Sequence, residues 1–127
     1  MQPQSYVLQV NVPSVEEFSA KYKQYGPLAK GSANFLFEML VSPESFVRAK
    51  IATELGHPAI DGSADLAYQA VLNQSKIVWD VRIKQFCGAA VCCLMEANGY
   101  RKSGERKNVR HHAFTKGEFY RPEHEPE

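Results

Sequence analysis

Seven basic side chains crowd the stretch from Tyr100 to Arg121: Arg101, Lys102, Arg106, Lys107, Arg110, Lys116 and Arg121. Only Glu105 and Glu118 oppose them there. The first hundred residues are nearly balanced, and the tail from Pro122 to Glu127 is acidic. A formal net charge of +1 therefore conceals a concentrated cationic strip. The chemistry such a strip performs is capture of a polyanion, because each ammonium or guanidinium that meets a phosphate releases a condensed counterion. An acidic protein face would serve the same cations. A third reading is bland: charged side chains on a solvated hairpin protect a sheet edge from aggregation.

The other reactive residue types are sparse. Cys87, Cys92 and Cys93 share one apolar run, and His111 and His112 are neighbours. Zinc requires ligands that converge, commonly from CxxC or HxxxH pairs. Cys87 and Cys92 give no tight chelating turn, and adjacent histidines on a strand point to opposite faces. These residues read as small buried apolar groups and surface imidazoles, so no metal and no cofactor is expected. His57 with Asp61, and His111 or His112 with Glu118, are the only acid–base pairs in sight. No nucleophile elbow, phosphate loop or paired carboxylates accompany them, so the chain reads as a non-enzyme.

The elements that must position the strip follow from pattern. With 127 residues, 44% of them apolar and 23% charged, the chain has the make-up of one ordinary globular domain over residues 1–121. Residues 122–127 read as a disordered acidic tail. An odd number of cysteines in an apolar run reads as reduced thiols in a cytoplasmic protein. No run approaches the length of a membrane span, and the first residues lack the features of a signal peptide.

Tyr6, Leu8, Val10 and Val12 alternate with polar residues and predict a strand over 6–12. Ser14 and Glu17 form a capping box that opens a helix carrying Val15, Phe18, Tyr22 and Tyr25, which Gly26-Pro27 should stop. Ser32 caps a short helix to Val41, with Phe35, Leu36, Met39 and Leu40 inward. Ser42-Pro43-Glu44 opens another, with Phe46, Val47, Ile51 and Leu55 as its buried stripe and Gly56 as its end. Residues 57–63 read as a loop, and 64–73 as a short helix carrying Leu66, Ala70 and Val71. Ser75 caps the longest element, 76–98, whose second half is apolar all round and so belongs at the centre of the core. Within it Gly88 marks either a close helix crossing or a break. Phe37 and Trp79 are expected in the core; exposure of either would make it an interface or a base-stacking platform.

Beyond Gly99 the pattern changes. Residues 106–114 and 118–121 flank Lys116-Gly117 as a hairpin, with Phe114 opposite Phe119, and a turn at Ser103-Gly104 would make 100–102 a third strand. The order of helical core, long helix and basic hairpin over 64–121 resembles the layout of winged-helix modules. That resemblance implies a last helix in the major groove and a hairpin on the backbone. The residues before the hairpin, Ala89 to Leu94, have no polar groups with which to read base edges. Binding would then be led by the backbone, with weak sequence preference.

Together these readings predict an α+β fold: a mainly helical core around a buried helix 76–98, with a small antiparallel sheet containing the C-terminal basic hairpin. The expected function is a small non-enzymatic binding protein that contacts nucleic acid through Arg101, Lys102, Arg106, Lys107, Arg110 and Lys116. The alternative is a protein–protein module (an inhibitor, an adaptor or a homodimer subunit) with the apolar half of the long helix at the interface.

Overall fold

A computed structural model describes residues 9–102 and 119–120. Of these residues 67% are helical, in six α-helices and two short 3-10 turns. The helices are α1 (Val15–Lys21), α2 (Gly26–Lys30), α3 (Asn34–Leu40), α4 (Pro43–Glu54), α5 (Ala64–Leu72) and α6 (Val81–Ala97). The fold is therefore helical, and the α+β expectation is wrong. Extended pairing among the described residues amounts to β1 (Arg101–Lys102) against β2 (Phe119–Tyr120), Arg101 opposite Tyr120 and Lys102 opposite Phe119. Two residues against two make no sheet layer, since strands need several residues and a covered face to be stable. Residues 9–12, the described part of the expected first strand, are not a strand. The rest of the expected hairpin lies outside the described residues.

Several boundaries follow their signals. Ser14 Oγ accepts from the Glu17 amide at 3.0 Å, and the Glu17 carboxylate accepts from the Ser14 amide at 2.8 Å. That reciprocal pair fixes the start of α1. Ser42 Oγ accepts from the Ser45 amide at 3.1 Å, with Pro43 in the first turn of α4. Other signals were outcompeted. Gly26-Pro27 opens α2 instead of stopping a helix; proline fits a first turn, where its missing N–H has no partner to lose. Ser32 caps nothing, and Ala33 stands at the N-terminus of α3 without a side-chain cap. The long helix begins at Val81, not Lys76. Asp80 supersedes Ser75 because its carboxylate accepts from both the Arg82 and Ile83 amides, at 2.9 and 3.1 Å. Val78 consequently lies off the helix and is 70% exposed. Gly56 and Gly99 follow α4 and α6 with positive φ, as helix-ending glycines do.

The core is assembled on α6. Ile83, Phe86, Cys87, Ala90, Val91, Cys92, Cys93, Leu94 and Met95 are all buried. Phe18 of α1 is fully buried against three rings, Tyr22, Phe37 and Phe86, with centroids 5.3, 5.0 and 5.8 Å away. Phe37 is thus a core residue. Trp79 is half-buried, edge-on to Tyr68 at 5.2 Å.

Of the expected stripe of α4 only Phe46 faces inward. Ser45, Phe46, Ala49 and Ala52 are buried, while Val47, Ile51 and Leu55 are 40%, 52% and 68% exposed. The 3-10 turn Ala59–Gly62 packs close to α4, and Ser45 Oγ lies 3.1 Å from Ser63 Oγ in the buried seam. Helix and turn approach so closely that small side chains fill the seam and the larger aliphatics face outward.

Gly88 neither breaks α6 nor permits a crossing. The helix runs unbroken through it, and a Cβ built there meets nothing within 4 Å. A glycine in a helix interior costs backbone entropy without return. Gly88→Ala should therefore raise the unfolding free energy by about 0.5–1 kcal/mol. Urea titration checks this; an unchanged or lower midpoint would mean that the space is occupied.

Candidate functional site

One face of α6 is only partly covered by the described residues. Gln85, Gly88, Ala89, Cys92 and Glu96 follow one another at helical spacing and floor a groove of about 500 Å³. Lys21 and Tyr22, at the end of α1, and Tyr25, in the 3-10 turn before α2, form the opposite wall. Lys102 of β1 stands at the same groove, delivered there by the chain reversal at Gly99.

The side chains within it are held. Tyr22 stacks on Phe18 and donates its hydroxyl to Cys92 Sγ at 3.2 Å. Tyr25 packs edge-on to Phe86 at 6.0 Å. Lys21 pairs with Glu96, and its ammonium lies 5.9 Å from the Tyr22 ring centroid. That hydrogen bond to Glu96 is the main cause that holds the Lys21 ammonium above the ordinary lysine range. Burial pushes the Tyr22 phenol upward, and the bond to Cys92 adds to it. The thiols are also raised, mainly by burial, Cys87 to about 12 and Cys93 to about 11. Cys92 moves the same way, partly offset by the Tyr22 hydroxyl. All three cysteines are free and buried, so at neutral pH they are protonated thiols, unsuited to nucleophilic attack.

The expected site residues divide into two sets. Arg101 and Lys102 are exposed, and neither meets a carboxylate among the described residues. Successive strand residues point to opposite faces, and of the two only Lys102 lines the groove. Arg101 and Lys102 therefore do not share one face. Arg106, Lys107, Arg110 and Lys116 lie outside the described residues, as do His111 and His112.

Among the described residues no group of three or more His, Cys, Asp or Glu is placed to hold a metal. His57 and Asp61 are exposed, and no hydrogen bond or ion pair joins them. No helix among the described residues is long and apolar enough to cross a membrane.

Two other hollows fit an anion less well. A cavity of about 30 Å³ beside Ser45 and Ser63 has room for a water or two. A shelf of about 410 Å³ along Val12, Pro13, Phe37 and Val41 contains Glu38 and no cation among the described residues.

The groove was missed in the sequence because the second half of α6 looks apolar on every side. The available signal was the small pair Gly88-Ala89, flanked by Gln85 and Glu96 on the same face. The winged-helix layout would set α6 in a DNA groove, but most of the second half of α6 is buried and its open side carries few polar groups. Compared with protein families, curated proteins and solved structures, the chain matches none.

Proposed function

We propose that the protein is a non-enzymatic nucleic-acid-binding module that grips phosphates with Arg101, Lys102 and the cations that follow them, Arg106, Lys107, Arg110 and Lys116. The observation that carries this reading is the exposure of Arg101 and Lys102, with no carboxylate partner among the described residues, at the start of the cationic strip. Three free buried thiols favour a reducing compartment, and we place the protein in the cytoplasm.

Phosphate contacts by four to six cations make affinity fall with salt at a log–log slope on the order of −4. Arg101→Glu with Lys102→Glu should weaken binding of a labelled oligonucleotide by at least about tenfold and flatten that slope. Fluorescence anisotropy between about 50 and about 200 mM salt measures both. An affinity indifferent to salt and to both reversals would remove nucleic acid as the partner.

A second reading has its own observation. Val47, Ile51 and Leu55 recur every four residues along α4 and are exposed. Such a stripe suits a helical protein partner or a second copy of the chain. The larger apolar side chains in the second half of α6, by contrast, are buried within the described fold. Sedimentation that returns a monomer at all concentrations would remove self-association.

A further inference from the structure

We infer that the groove between α1 and α6 receives an unpaired base, so that the nucleic acid bound is single-stranded. This rests on the nucleic-acid reading above and narrows it. The groove, at about 500 Å³, falls in the size range of pockets that enclose small flat ligands. A duplex presents a convex rim of phosphates and keeps its bases stacked inside. A single strand can turn one base out, and an aromatic wall gives that base a surface to stack on.

The lining matches such an occupant part by part. Tyr22 and Tyr25 are half-buried, with their positions fixed by Phe18, Cys92 and Phe86. Gln24 and Gln85 are exposed amides on the two sides of the groove, each with donors and an acceptor for a base edge. Lys102 offers an ammonium to the adjoining phosphate. Glu96 is the one acid among the described lining residues, and Lys21 already neutralises it. Gly88 has no packing neighbour that forbids a side chain, yet it leaves the groove open at a cost to the helix. A ligand lying flat on the helix backbone needs that space.

The test compares a labelled oligothymidylate of about 15 nucleotides with a duplex of the same length. Gly88→Leu projects a side chain into the groove and removes no contact. It should lower single-strand affinity at least about tenfold while leaving duplex affinity within about twofold. Gln85→Glu, at an exposed position with no folding role, should act in the same direction and keeps the test decisive if Gly88→Leu does not fold. Arg101→Glu with Lys102→Glu should weaken both ligands. Single-strand binding that survives Gly88→Leu or Gln85→Glu unchanged overturns the groove assignment and leaves the phosphate grip standing. An equal loss on strand and duplex also overturns it. If wild-type protein binds neither ligand, the nucleic-acid reading falls and the groove assignment falls with it.

Discussion

Phe18→Ala should destabilise the protein by about 3–5 kcal/mol. The side chain is fully buried and is the hub at which α1, α3 and α6 meet, through Tyr22, Phe37 and Phe86. Truncation removes the transfer free energy of the ring and leaves a cavity that three rigid aromatics cannot collapse into without losing their own contacts. Natural domains are stable by only about 5–15 kcal/mol, so the variant would keep a fraction of its stability or none. Tyr22 would also lose the ring beneath it, so the groove wall should loosen along with the core. Urea unfolding followed by circular dichroism gives the value. A loss below about 1 kcal/mol would be inconsistent with a packed three-helix junction at this residue.

Gly62→Ala should cost about 1–3 kcal/mol, and the sign is opposite to that expected at Gly88. A Cβ at Gly62 would stand 2.3 Å from the Arg48 carbonyl oxygen and 2.6 Å from its carbon. Both atoms are backbone in α4, so no rotamer change relieves the overlap. Either the 3-10 turn or the helix must shift, and the buried Ser45–Ser63 hydrogen bond is strained with it. The pair of substitutions is a control on itself. The same added methyl group stabilises where nothing touches it and destabilises where the backbone already does. Equal effects at the two positions would contradict the packing of α4 on the 59–62 turn.

Local chemistry was the legible part of this chain. The Ser14–Glu17 box and the Ser42-Pro43 start were readable because a cap depends on residues three apart. The burial of α6 was readable because its apolar run is too long to leave in water. What could not be read depended on distance in space. The inward face of α4 is lined by Ser45, Ala49 and Ala52 because another part of the backbone comes within contact of the helix. Hydrophobic periodicity instead favoured Val47, Ile51 and Leu55. Asp80 and Ser75 are both good caps, and only tertiary packing chose between them. The cations Arg101 and Lys102 were visible as charges. That they point to opposite sides depended on the short β1–β2 pairing and could not be counted from composition.

The Asn98 side chain brackets the backbone of Asn11, whose own side chain donates to the Ala97 carbonyl. The Asn11 amide donates to Asn98 Oδ1, and Asn98 Nδ2 donates to the Asn11 carbonyl, each at 2.8 Å. Asn98 also bonds the Leu94 carbonyl inside α6. One amide group thus clasps the entry of the chain to the exit of its central helix. Deuterium uptake at Asn11 should then keep time with fraying of the last turn of α6, the two regions opening as one unit although 87 positions separate them along the chain.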